Sequence, residues 1–365
     1  MPTSPEPIEA VSQRLDKFLS EQLSYASALG PEAESLTRAG ASALRGGKRL
    51  RARFCLAGWR AVGALDAPSA AVFDEPALAV ATSLEVFHAA ALVHDDIMDR
   101  SDTRRGRPAA HRRFESLHEE SGWTGDRSLY GTNSALLLGD LLLALSDSVF
   151  DEGLALLEPA RARIVRQEFH AMRLDVTAGQ YLDVHEETAW PSIDEAEHLV
   201  RAQRVIVFKS AKYSIEAPLV IGALVAGASD SQLDGLRSFG LPLGVAYQLR
   251  DDLLGVFGDP AVTGKPAGDD LREGKRTVLI ASARKSLGAG PRQLLDELLG
   301  DPDLDEGQVQ MLRATLTESG AVAAVERSID RHVQRAKSAL EATPLSPSAR
   351  EQLLSLADTV SRRVA

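Results

Sequence analysis

Two acidic runs in this chain close apolar stretches and are followed at once by basic residues. The first, "LVHDDIMDRSDTRRGRP" at 92–108, places Asp95, Asp96, Asp99 and Asp102 ahead of Arg104 and Arg105. On a helix each residue turns about 100°, so Asp99 falls about 40° from Asp95 and Asp96 about 100° away; Asp102 falls about 20° to the other side if the helix reaches it. Like charges at that spacing repel, and carboxylates at a helix C-terminus oppose the macrodipole. Both penalties make sense if a hard cation completes the set. Mg²⁺ takes carboxylate oxygens, keeps several waters and bridges to phosphates. The arginines that follow suit phosphate bidentately. The competing reading is a solvated acidic helix end neutralised by its own arginines. The apolar "FHAAALV" before the aspartates buries that helix and weighs against it.

The second run, "YQLRDDLLGVFGD" at 247–259, carries Asp251 and Asp252. A glycine-containing loop follows, "PAVTGKPAGDDLREGKRTVL", with Lys265, Asp269, Asp270 and Lys275. Two Asp-Asp pairs on separate buried helices, each trailed by basic residues, predict two facing metal-binding walls with a polyanion between them. A third basic element is "GGKRLRARF" at 46–54, where two glycines let the backbone approach an anion and Lys48, Arg49 and Arg51 follow.

The elements that must position these groups read as helices throughout. Apolar residues recur at three-and-four spacing, and the expected fold class is all-α, with no run of strands. Pro31 and Pro76 sit at expected first helical positions, and Pro159 is expected to kink or divide a long helix. Further helices are expected over 192–212, 214–228, 232–257, 276–286, 304–317, 319–342 and 346–364. Loops are expected over 100–130, 186–192, 258–275 and 299–304. One domain spanning 9–365 is the simplest organisation, after a disordered N-terminus at 1–8.

The bulk numbers exclude some classes. A net charge of −11 and a pI near 5.3 argue against a nucleic-acid partner. The single cysteine, Cys55, forbids an internal disulfide and suits a reducing, cytoplasmic setting. The N-terminus lacks the pattern of a secretory signal. No stretch reaches about 18 uninterrupted apolar residues, so no membrane span is expected.

In this order and spacing, "GGKRLR", "DDIMD…RRG.P", "GQYLD", "FKSA" and "YQLRDD…TGK…GDD…GK" resemble the trans-polyprenyl diphosphate synthases, the family of farnesyl and geranylgeranyl diphosphate synthases. A bacterial geranylgeranyl diphosphate synthase is the closest kind. The motifs cover roughly residues 35 to 290. The resemblance implies ten or more helices around a deep central cavity, usually in a homodimer. It also implies a reaction. An allylic diphosphate ionises with the help of Mg²⁺, three ions per site, with Mn²⁺ as a substitute. Isopentenyl diphosphate attacks the cation, a proton is lost to the departing diphosphate, and the chain is five carbons longer. By position, Asp95, Asp99 and Asp251 resemble the metal ligands, with Asp96 and Asp252 beside them. Arg104, Lys209 and Lys265 resemble the groups that hold the allylic diphosphate. Lys48, Arg51, His88 and Arg105 resemble the isopentenyl diphosphate site. Ser210, Gln180, Asp183 and Gln248 match polar positions of the cavity.

The chain departs from the pattern at Gly255, where the second motif usually has its last aspartate, and at Ser210, where threonine is commoner. Ala90 and Ala91 precede Asp95 by about one turn, where a bulky aromatic in the family stops growth at fifteen carbons. Phe87, two turns down, is then the expected floor, for a product of about twenty carbons. A longer-chain synthase, a terpene cyclase and a non-catalytic partner subunit are the alternatives. A cyclase should carry an Asn/Asp-Ser/Thr-Glu triad in place of "DDLLG", and a partner subunit should have lost aspartates from "DDIMD", which is intact.

Overall fold

The computed structural model describes residues 6–63, 73–259 and 268–361. Within them the chain is all-α apart from one small hairpin, and it divides into two compact units.

The first unit holds residues up to Glu168 together with Pro218–Ser229. Its helices are α1 (Pro7–Leu29), α2 (Pro31–Ala43), α3 (Leu50–Val62) and α4 (Glu75–Met98), then α5 (Ala110–Glu120) and α6 (Arg127–Leu154). Between α4 and α5 lie strands β1 (Thr103–Arg104) and β2 (Arg107–Pro108), paired antiparallel. Helix α4 is the axis of this unit. Asp74 caps its N-terminus through Ala77 N at 2.9 Å, and Pro76 stands in its first turn. The apolar side chains of α1, α4 and α6 close one core around Phe18, Val86, Leu138 and Leu142. Helices α4 and α6 are each long and apolar enough to cross a membrane by length and composition, and α4 is mostly buried inside the protein.

The second unit holds Phe169–Ala217 and Asp230–Ala365. Helix α7 (Pro159–Ala189) contributes residues to both units. Helix α8 (Glu195–Val205) runs into a π-helical segment, Ile206–Glu216, and then into α9 (Ala217–Ala226), which from Pro218 onward belongs to the first unit. Next come α10 (Asp230–Phe257), α11 (Asp269–Glu273), α12 (Val278–Ser286), α13 (Ala289–Leu298), α14 (Glu306–Glu318), α15 (Ala321–Ala342) and α16 (Pro347–Ser361). Its core gathers Leu249, Leu253, Leu279, Leu312 and Ile329.

Several expectations change. Helix α1 already begins at Pro7, inside the stretch expected to be disordered, while residues 1–5 lie outside the described residues. Most of 110–130, expected as loop, is helical; a short turn at 121–126 separates α5 from α6. Of the two outcomes expected at Pro159 the chain takes division: α6 ends at Leu154 and Pro159 opens α7, where a first-turn proline has no amide bond to lose. Helix α13 was not expected, its start being masked by Gly288, Gly290 and Pro291. The two helices expected over 192–228 are one run through the π segment.

Candidate active site

In the first unit, α4 ends at Met98 with Asp99 as its C-cap, and the Asp99 N–H donates to the Asp95 carbonyl at 2.8 Å. The two carboxylates therefore stand one turn apart. Arg100 then adopts φ +55°, and the helix stops. Asp102 is consequently off the shared face. It is exposed and accepts from Arg112 Nε at 2.7 Å, so it does not extend the acidic set.

Burial divides the first Asp-Asp pair. Asp96 is 3% exposed, and Arg104 donates to its Oδ1 from Nε at 2.7 Å and also from Nη2. Asp95 is more open and lies 3.5 Å from the same Nη2. One aspartate thus fixes the arginine while the other presents its oxygens.

The hairpin delivers the arginines. Its turn is made by Arg105 at φ +54° and Gly106 at φ +69°, and two positive φ values match the twist of a tight two-residue hairpin. A non-glycine residue held left-handed is a strained choice, of the kind found at functional sites. The Arg105 Nη1 donates to the Arg45 carbonyl at 2.9 Å. Its Nη2 lies only 2.8 Å from where a Cβ on Gly47 would stand, and Gly47 itself has φ +86°. Glycine at 47 serves the backbone turn and leaves room for the guanidinium.

Glu85 is a residue that sequence reading missed. It is 4% exposed on α4, accepts from Ala52 N at 3.0 Å, and lies 3.8 Å from Arg49 Nη1. It ties the start of α3, and with it the Lys48–Arg51 stretch, to the helix that carries the aspartates. Its signal was a lone carboxylate inside an apolar helix, which needs a buried partner. His88 sits three residues on. Burial holds its pKa well below 6.5, and Arg51, Arg105, Arg104 and Arg49 push the same way. Converging positive charge in a chain of net charge −11 marks a place for an anion.

The expected chain-length residues separate. Phe87 is buried on α4 and Ala91 is half-buried. Ala90 is fully buried in the core with Phe18, Val86 and Ala89. At about 100° per residue it stands about 140° round the helix from Asp95. It packs into the core of its own unit.

In the second unit the π segment carries Lys209 and Ser210. Such segments are rare and concentrate at functional sites. Helix α10 approaches it closely: a Cβ on Gly244 would meet the Ala211 carbonyl at 2.5 Å, and one on Gly240 would meet the Glu216 Cα at 2.9 Å. The approach lets Ser210 Oγ donate to Gln248 Oε1, while Gln248 Nε2 donates to Asp252 Oδ1 at 2.7 Å. Asp252 is 6% exposed; burial raises its pKa well above 3.8, Asp270, Asp251 and Asp183 raise it further, and the Gln248 bond opposes them. Asp251 is exposed. The division seen at Asp95 and Asp96 recurs here.

Lys209 Nζ bonds Asp183 Oδ2, and Lys275 Nζ lies 3.3 Å from that oxygen and 3.0 Å from Glu187 Oε1. Lys275 thereby joins the set, although sequence reading gave it no role. Gln180 lies on α7, three residues before Asp183. Lys265 falls in 260–267, outside the described residues. At Gly255 a Cβ would collide with the Asp270 carboxylate. The carboxylate missing from the second motif is thus answered by one from α11, in the space beside Gly255.

The donors are all oxygens, as a hard divalent cation requires. Among the described residues, no three His, Cys, Asp or Glu side chains gather into a cage. Mg²⁺ needs none: one or two carboxylates, waters and substrate phosphates suffice. Asp95, Asp99 and Asp251 fit that mode.

Comparison with known proteins agrees with this chemistry. The polyprenyl synthetase family model matches residues 33–316. A geranylfarnesyl diphosphate synthase of Aeropyrum pernix is 34% identical over 85% of this chain and 88% of its own length. A geranylgeranyl diphosphate synthase of Mycobacterium tuberculosis is 31% identical over 78% of this chain and 73% of its own. The crystal structure of a Corynebacterium glutamicum geranylgeranyl pyrophosphate synthase, complexed with isoprenyl diphosphate and magnesium, superposes with a TM-score of 0.91 at 35% identity, covering 100% of both chains.

Proposed function

The chain belongs to the polyprenyl synthetase family and is a trans-prenyltransferase, and from that premise we propose that it condenses isopentenyl diphosphate with an allylic diphosphate to give geranylgeranyl diphosphate. The observation that carries this reading is the repeated division of each Asp-Asp pair. Asp95 and Asp251 present oxygens, while Asp96 and Asp252 anchor Arg104 and Gln248.

Family membership and the magnesium complex of the Corynebacterium structure support divalent-metal use. Asp95, Asp99 and Asp251 would hold the ions, three per site by family pattern. Bound Mg²⁺ neutralises the leaving diphosphate as a Lewis acid. The protein's own cations do the rest. Arg104, fixed by Asp96, and Lys209, fixed by Asp183, offer preorganised charge to the departing diphosphate. Lys48, Arg51, Arg105 and a neutral His88 hold the diphosphate of the isopentenyl substrate. No side chain is placed as a general base, and the departing diphosphate takes the proton.

Product length is set on α4 by Phe87, with Ala91 leaving room one turn above it. The geranylfarnesyl synthase of Aeropyrum makes a product one unit longer the specific alternative. A second copy of the chain covers the outer face of α6, where Leu129, Leu136 and Leu137 are exposed. The test is incubation of the purified chain with Mg²⁺, isopentenyl diphosphate and allylic diphosphates of several lengths. A product of about twenty carbons is expected. No elongated product from the chain alone would sink the reading, and would leave the partner-subunit alternative standing.

A further inference from the structure

A cavity of about 540 Å³ opens in the first unit, among α2, α4, the hairpin, α5 and α6. Its size is that of a small-molecule pocket, which typically spans about 300–1,000 Å³. Its rim is basic: Arg38, Arg45, Arg105, Arg107 and Arg113 line it, and Arg104 reaches its wall. Asp96 is the one acidic residue in the lining, and Arg104 already occupies it. Such a concentration of arginine in a chain of net charge −11 sets up a local field for an anion.

The rim is only partly self-satisfied. Arg113 donates to Ser42 Oγ at 3.0 Å, and Arg38 is exposed beside Glu34. The side chains of Arg45 and Arg107 have no hydrogen-bond or ion-pair partner among the described residues. The floor is different in kind. Leu92, Val93, Phe114, Leu117 and Leu138 line it, so an occupant needs an apolar part as well as a charged head. The cavity borders α4 through Ala89, Leu92, Val93 and Asp96, which stand about 60° to 160° round the helix from Asp95. It does not contain Lys48, Arg51, His88 or Asp95.

We propose that this cavity is a second binding site for a diphosphate with an apolar tail, and that its occupant acts on the reaction by engaging Arg104 and Arg105 from behind. A ligand phosphate at the rim competes with Asp96 for Arg104 and with the Arg45 carbonyl for Arg105. Both arginines then leave the positions in which they serve the substrates. A prenyl diphosphate has the required chemistry, so the site provides feedback by the chain's own product class. This assignment of ligand rests on the proposed function; the site itself rests on the cavity.

The test uses the full chain with Mg²⁺ and a prenyl diphosphate analogue carrying a diazirine at the end of its tail. Photolabelled peptides are mapped by mass spectrometry. Label on the stretches holding Phe114, Leu117 or Leu138 is expected, and it should fall at least tenfold in Arg38→Glu/Arg113→Glu. That variant should keep the parent's turnover at low substrate while losing inhibition by added geranylgeranyl diphosphate. Unlabelled geranylgeranyl diphosphate should protect these peptides better than inorganic diphosphate or a short-chain phosphatidic acid. Absence of label there, or label unchanged in the variant, overturns the site. Better protection by phosphatidic acid overturns the prenyl assignment. Labelling needs no turnover, so it reads the cavity even if the chain elongates nothing.

Discussion

The two aspartates of the first pair have different duties, and substitution should separate them. Asp95 is the more open of the two and lies farther from Arg104, so Asp95→Ala should lower the melting temperature less than Asp96→Asn does. Turnover of Asp95→Ala should fall on the order of 10²- to 10³-fold or more, the size of one preorganised electrostatic contact to a transition state. Asp96→Asn should do the reverse in kind. It leaves the Arg104 guanidinium beside a neutral amide and should cost about 3 kcal/mol of stability, as expected when a buried pair loses one charge. Thermal unfolding and steady-state rates on both variants decide this; an active Asp95→Ala enzyme refutes the metal assignment. At Gly255 restoring the family's aspartate should not help. Its side chain collides with Asp270, so Gly255→Asp should destabilise by about 1–3 kcal/mol, and adding Asp270→Ala should recover part of the loss. His88 gives a pH signature. Its folded pKa lies below 6.5, so the folded chain declines a proton that the unfolded chain takes. Stability is therefore lost as pH falls through 6.5, and no contribution remains above that value. If the diphosphate sits beside His88 as proposed, it would raise the pKa of the imidazole and draw the proton in. Isopentenyl diphosphate should bind tighter as pH falls, with proton uptake seen by calorimetry in buffers of different ionisation enthalpy, and His88→Gln should flatten both trends. The sequence displayed all these residues but not their division of labour, because exposed and buried aspartates read alike in one letter.

Among the elements, α4 and α10 were legible because each joins a long apolar pattern to a polar end. The hairpin was not, since two-residue strands lack periodicity, and whether the helix reached Asp102 stayed open until Arg100 was seen to end it. The π segment was equally hidden. Its residues read as ordinary helix, and the close approach of α10 through Gly240 and Gly244 is a tertiary contact that local sequence does not display. Ala90 and Phe87 are both buried on α4, and Phe87 is the residue proposed to stop the growing product. Phe87→Ala should cost about 3–5 kcal/mol of stability, as large-to-small changes at buried aromatics do. In the fraction that stays folded, chromatography of dephosphorylated products should show a chain at least one unit longer. An unchanged product excludes Phe87 as the stop.

For the molecule as a whole, the open question is what covers α6. The first unit buries one side of this helix against α4, with Leu138 and Leu142 fully enclosed. Its other side leaves Leu129, Leu136 and Leu137 about half exposed. Three exposed leucines on one helix of a chain carrying net charge −11 point to a partner there, although exposed Asn133 and Asp140 lie among them. The helix is also apolar enough to enter a bilayer by composition, so the two covers must be told apart. A second copy makes a simple prediction. The parent chain should sediment as a dimer without detergent. Leu136→Arg/Leu137→Arg places two like charges in the middle of that contact, where single anchors are worth about 2 kcal/mol or more. Its dissociation constant should rise by at least 100-fold, and sedimentation velocity at micromolar concentration should show monomer. Both residues are exposed, so the helix and the core beneath it should survive, which circular dichroism checks. A variant that still sediments as a dimer moves the contact elsewhere on the surface. A parent chain that is monomeric in buffer but binds vesicles through this face replaces the second copy with a membrane.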